Sequence, residues 1–284
     1  MAFSPASMLN AFTIWGKYRL TSGIAYAPGA RHTLDVYAPA PRRPAAPVVV
    51  FFYGGDWQTG NKAIYRFLGA ALASRGLVAI IPDYRVYPEV RFPGFLEDAA
   101  SAVRWAHDHA AEYGGDPGRM VLMGHSAGGH IAAMLTYDPR WLTAAGLDPD
   151  RDLKGLVGLA GPYDFLPLQD PTLKIIFGPE KDRAATQPIN FVEAGAPPAF
   201  LATGCDDHTV KPGNTTRLAA RISEKGDAVT VKLYDGISHR MLIGAFAVPL
   251  RSFAPVLRDT VAFIDDVTHA PAGGGAPIVT AAPR

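Results

Sequence analysis

The clearest pattern along the chain is a series of short apolar runs separated by stretches with helical periodicity. Val48 to Tyr53 is apolar at every position, and Leu77 to Ile81, Met120 to Gly124, Leu156 to Ala160 and Phe200 to Gly204 are apolar or small throughout. Continuous runs of this length predict strands covered on both faces. Leu34 to Ala38 and Val229 to Tyr234 alternate apolar with polar residues, which predicts half-buried strands near the sheet edges. Between the runs, Ile64, Phe67, Leu68, Ala71 and Leu72 share one helical stripe, with Gly76 as a stop. Leu96, Ala99, Ala100, Val103, Ala106 and Ala110 form a second stripe. Leu218 and Ile222 mark a third helix, and Leu257, Val261 and Ile264 a fourth. Strands alternating with helices predict an α/β fold, with a mostly parallel central sheet and helices on both faces. Ligands in such sheets bind at the carboxyl ends of the strands.

This rhythm spans residues 31–268, which we read as one domain. Residues 1–30 precede it. There Met8, Leu9, Phe12 and Trp15 have helical spacing, which suits either a lid segment or simple packing on the domain. Inside it, residues 162–198 are proline-rich and too long for an ordinary connection, which predicts a lid or insertion. The glycine- and proline-rich stretch 269–284 predicts a disordered tail.

Composition narrows the function classes. Lys plus Arg is 27 and Asp plus Glu is 26 in 284 residues, so the net charge of +1 argues against a nucleic-acid partner. The longest apolar run, Pro47 to Tyr53, is far too short to span a bilayer, so no membrane partner is expected. The first residues lack a basic segment followed by an apolar core, which predicts a cytoplasmic protein. The single cysteine, Cys205, excludes an internal disulfide and a multi-cysteine zinc site. His125 and His130 flank a serine, but no H-E-x-x-H or converging carboxylate set accompanies them, so no metal is expected. The oligomeric state stays open.

The candidate chemistry begins at Gly124-His125-Ser126-Ala127-Gly128, which matches G-x-S-x-G between a predicted buried strand and a predicted helix. Such a sharp turn lifts the Ser126 hydroxyl to the top of the sheet, at a helix N-terminus. A serine hydroxyl needs a base, and the base an orienting acid. Both follow in chain order. The strand ending at Gly204 runs into Cys205-Asp206-Asp207-His208, and the strand ending at Tyr234 runs into Asp235-Gly236-Ile237-Ser238-His239. Asp206 competes with Asp207, and the G-x-x-D-x-x-V spacing of Gly204, Asp207 and Val210 favours Asp207. His208 is a rival base beside the acid. Backbone donors for a developing oxyanion are expected from Ala127 and from Gly55 and Asp56, in the loop Tyr53-Gly54-Gly55-Asp56-Trp57. Trp57 and His125 are candidates for a substrate-pocket wall, and packing explains each as well. Asp83 and Arg85 read as structural polar anchors.

On Tyr53-Gly54-Gly55-Asp56-Trp57, Pro82-Asp83-Tyr84-Arg85, Gly124 to His130, the Asp207 loop and His239, the chain resembles the serine esterases of the α/β-hydrolase fold. The branch it resembles holds bacterial carboxylesterases of the hormone-sensitive-lipase type and arylformamidases, and the likeness covers roughly residues 30 to 268. Tyr53 stands where that family carries a histidine, a residue that organises the loop. The resemblance implies a serine hydrolase acting on a small-molecule ester, with Ser126, Asp207 and His239 as its triad and no metal or organic cofactor. An arylformamidase-type amidase would use the same triad. A non-catalytic binding protein that kept the fold is the alternative from another class.

Overall fold

The computed structural model describes residues 5–269, without the side chains of residues 5–7, 14 and 15. Eight strands form one sheet: β1 (Tyr18–Ala25), β2 (Thr33–Pro39), β3 (Ala46–Phe52), β4 (Val78–Pro82), β5 (Gly115–His125), β6 (Leu153–Leu159), β7 (Ala199–Gly204) and β8 (Val229–Tyr234). Their order is β1-β2-β4-β3-β5-β6-β7-β8. β2 runs antiparallel to both β1 and β4, and every other pair is parallel. The chain is thus an α/β fold of the expected kind. The predicted helices stand at Arg66–Ala73, Gly94–His109, Ala127–Tyr137, Gly213–Glu224 and Val256–His269. Val48, Val49 and Val50 are fully buried, as expected for a strand sandwiched between helix layers.

Three expectations change. β1 was not anticipated, and it occupies the edge where β2 was expected. The β2 segment Leu34–Ala38 is buried throughout rather than half exposed. The reason lies at Asp35, whose carboxylate accepts from the Gly23 amide of β1 at 2.9 Å and lies 3.8 Å from Lys62 Nζ. A polar position there is partnered, not solvated. β8 does form the opposite edge. His269, placed in the predicted tail, instead closes the last helix, and the rest of that stretch, residues 270–284, lies outside the described residues.

The parallel strands place four loops at one rim. The chain leaves β3 toward β4 on one side, while β5 lies on the other, so the strand order reverses between β3 and β5. Their register pairs Phe52 with Gly124, which brings the Gly54–Trp57 loop level with Ser126 at this switch point. The loops after β7 and β8 carry Asp207 and His239 to the same end. Among the described residues, no helix is long and apolar enough to cross a membrane.

Candidate active site

Ser126 lies between β5 and the helix Ala127–Tyr137 with φ 57° and ψ −127°, a conformation that costs a side-chain-bearing residue of order 1–3 kcal/mol. Close packing holds it there. A Cβ on Gly124 would collide with the Gly128 carbonyl, and one on Gly128 would collide with the Phe52 carbonyl of β3. The Ser126 amide donates to Leu159 O of β6 at 2.9 Å, tying the turn to the neighbouring strand. Ala127 is the first residue of the helix, so its amide has no intrahelical acceptor.

The acid and base loops are laced together before they reach Ser126. The Cys205 amide donates to Tyr234 O at 2.9 Å and the Asp206 amide to Ile237 O at 3.1 Å. This approach needs Gly204, because a Cβ there would strike the Ile237 carbonyl. Asp207 is buried, whereas Asp206 and His208 are exposed. Asp207 Oδ1 accepts from the amides of Thr209 and Val210 at 2.9 and 2.8 Å. That is the physical content of the spacing from Asp207 to Val210. Its Oδ2 lies 2.7 Å from His239 Nδ1. An ionised carboxylate only accepts, so the proton sits on Nδ1 and leaves Nε2 of a neutral ring as an acceptor. Burial pushes the Asp207 carboxyl up, but the bonds from His239, Val210 and Thr209 outweigh it and hold it below its ordinary value.

Ser126 and His239 line one cavity of about 620 Å³, together with Gly54, Gly55, Asp56 and His125. The Gly55–Trp57 loop is tightly wound, with φ of 141°, 53° and 57° at Gly55, Asp56 and Trp57. The Gly55 carbonyl accepts from the Gln58 and Thr59 amides, both at 2.9 Å. The amides of Gly55 and Asp56 donate no hydrogen bond among the described residues. Tyr53 anchors this loop from below. Its hydroxyl donates to Asp83 Oδ1 at 2.8 Å and accepts from Arg31 Nη2 at 3.0 Å, and its ring stacks on Tyr84 at 4.8 Å. Arg31 Nη2 also donates to Gly60 O at 2.8 Å. Asp83 further accepts from the Lys62 amide at 2.7 Å, and Arg85 pairs with Asp98 at 2.7 Å, so both act as structural anchors.

His125 lines the cavity and reaches across to the base. Its Nε2 donates to the His239 carbonyl at 3.1 Å, and the two rings lie 4.7 Å apart. Burial, with the neighbouring His239 adding to it, lowers His125 to about 3, so the ring is neutral. Trp57 is not among the lining residues. It is buried in an aromatic cluster with Phe95, His130, Phe165 and Phe177. The insertion 162–198 also contributes no lining residue. Its Phe165 and Phe177 pack on that cluster, and its Thr186 carbonyl accepts from His130 Nε2 at 2.8 Å. The sequence reading did not assign the rest of the wall, which includes Leu9, Ile64, Tyr65, Phe67, Arg240 and Ile243. Of these, Leu9, Ile64 and Phe67 carried a signal, since all three lay on helical stripes, but nothing in a stripe says which cavity it faces.

Comparisons with known proteins place the chain among esterases. The BD-FAE family pattern matches residues 34–222. A curated relative from Arabidopsis thaliana, "Probable isoprenylcysteine alpha-carbonyl methylesterase ICMEL1", is 31% identical over 237 residues, covering 76% of this chain and 50% of the relative. "Probable carboxylic ester hydrolase LipM" of Mycobacterium tuberculosis is 32% identical over 226 residues, covering 71% and 51%. The chain therefore spans about half the length of these curated relatives. Among solved structures, the apo form of Thermogutta terrifontis esterase 2 superposes with a TM-score of 0.73 at 28% identity, covering 90% of this chain and 97% of that one. The same esterase has been solved phosphoramylated by tabun (TM-score 0.72, 27% identity, 88% and 95% covered). It has also been solved with butyrate bound (TM-score 0.71, 26% identity, 92% and 98% covered). The chain belongs to the BD-FAE family of α/β-hydrolase-fold esterases.

Proposed function

We propose that the chain is a serine carboxylesterase that hydrolyses small to medium carboxylic esters through an acyl-enzyme. The observation that carries this reading is a serine on a strained strand-to-helix turn, sharing one cavity with a histidine whose other ring nitrogen is held by a buried aspartate. Ser126 Oγ attacks the ester carbonyl. His239 Nε2 takes the hydroxyl proton and returns it to the departing alcohol, while Asp207 fixes the ring's tautomer and stabilises the imidazolium. The amides of Gly55, Asp56 and Ala127 receive the tetrahedral oxyanion. Water then attacks the acyl-enzyme, with His239 again as base. The reaction of the Thermogutta esterase with tabun, and its butyrate complex, support a nucleophile that takes short acyl groups. The exposed free thiol of Cys205 suits a reducing compartment and supports the cytoplasmic placement.

The test is turnover of a chain-length series of nitrophenyl esters beside N-formyl anilides, with fluorophosphonate labelling in parallel. We expect ester turnover that Ser126→Ala lowers by about 10⁴-fold or more without loss of fold, and labelling that disappears in the variant. Preference for the formyl anilides would reassign the same triad to an amidase. A folded wild type that neither labels nor turns over either class would make the chain a binding protein.

A further inference from the structure

Beside the Ser126 cavity lies a second one of about 290 Å³ that the proposed reaction does not use. The two share a partition, because Leu9 and Phe67 line both. The rest of the second cavity is mostly apolar, along Ala70, Ala71, Ala247 and Val248, with the hydroxyl-bearing Thr13 and Ser74 among its walls, and two cationic side chains, Lys17 and Arg251, close it. No carboxylate lies within ion-pair distance of either cation among the described residues, although Arg and Lys elsewhere pair with Asp or Glu in ten instances. Arg251 is half-buried and, among the described residues, spends only its Nε, on Phe246 O at 3.0 Å. Burial and the nearby Arg75 guanidinium push it below the ordinary guanidinium value, so the site gathers like charge instead of compensating it. A partly desolvated guanidinium with free N–H groups is a fork for a carboxylate.

We propose that this cavity binds an amphipathic carboxylate, with its anionic head on Arg251 and Lys17 and its alkyl chain against Phe67 and Leu9. The charge of the walls selects an anion, and the apolar remainder selects a chain. The shared partition means that an occupant touches the far side of two residues that also face the ester.

Calorimetric titration of the full chain with octanoate, and with octanol as the uncharged control, tests this directly and needs no esterase activity. We expect octanoate to bind more tightly than octanol, and Lys17→Gln combined with Arg251→Gln to weaken octanoate by about tenfold or more. Arg251→Lys, which keeps a cation, should retain most of the affinity. Salt gives a reading that needs no variant, since octanoate affinity should fall with ionic strength while octanol affinity does not. Equal octanoate affinity in wild type and double variant would overturn the proposal. So would octanol binding as tightly as octanoate, or octanoate binding that a bound fluorophosphonate at Ser126 abolishes.

Discussion

At residue 207 the chain chooses between two adjacent carboxylates, and burial makes the choice. Asp206 faces solvent, while Asp207 spends one oxygen on two loop amides and the other on His239. Its carboxyl titrates near 3.8 in the unfolded chain and lower in the folded one. The ionised form therefore contributes stability that is complete above the unfolded value and is lost as pH falls through the folded value. Asp207→Asn keeps the shape and an oxygen for the loop amides but removes the charge. We expect kcat about 10³-fold or more lower. We also expect the Tm difference from wild type to narrow as pH is taken below about 4, and thermal unfolding across that range checks the sign. His125 carries a second test at this scale. Its ring's one hydrogen bond among the described residues holds the backbone of His239, so His125→Leu should lower kcat about tenfold with little change in KM. His125→Gln places an amide donor near Nε2 and should restore most of it. Equal losses in the two variants would reduce His125 to packing. The nucleophile was legible in the sequence because its turn is local: two small residues, a strand before and a helix after. The work of His125 was not, because its partner lies 114 residues away.

Among the elements, the loop after β3 shows how a departure from a familiar pattern is compensated by neighbours that no motif names. Tyr53 fills the family's histidine position, and Arg31, Asp83 and Tyr84 close around it. Tyr53→Phe keeps the stack on Tyr84 but leaves Asp83 and Arg31 short of a partner. The expected cost is about 1–3 kcal/mol of stability, read from denaturant unfolding. Because the oxyanion loop hangs from this residue, kcat/KM should fall as well, whereas a rigid loop would leave it unchanged. The sheet teaches a related lesson. The parallel strands were legible because burial on both faces forces apolar residues at every position. β1 was not, because its pairing with β2 shifts register between Thr21 and Ile24, and such an irregularity erases the alternation that marks an edge strand. Asp35 then misled in the other direction. Its polarity imitates a solvated face, yet it is buried against Gly23 and Lys62.

For the whole molecule, the question is which segment walls the reacting site, and two segments far apart in the chain compete for that role. The helix Pro5–Ala11 docks on the 62–73 region, where Asn10 accepts from the Phe67 amide at 2.9 Å and donates to Ala63 O at 2.9 Å. That docking puts Leu9 on the cavity wall. The insertion 162–198, the longer and more conspicuous candidate, packs instead on the flank of the helix Ala127–Tyr137, where Phe177 is buried against Trp57 at 4.7 Å and His130 at 5.7 Å. The physical reason is aromatic content: Phe165 and Phe177 complete an apolar cluster with Trp57 and His130. The two roles separate cleanly by experiment. Leu9→Ala widens the wall at a half-buried position on the margin of the core, so the rate on longer acyl esters relative to acetate should rise several-fold while Tm moves less than for a fully buried position. Phe177→Ala empties a core position and should cost about 3–5 kcal/mol of stability while leaving the chain-length profile unchanged. The reverse outcome, a profile that responds to residue 177 and ignores residue 9, would return the lid to the insertion and make the N-terminal helix a passive neighbour.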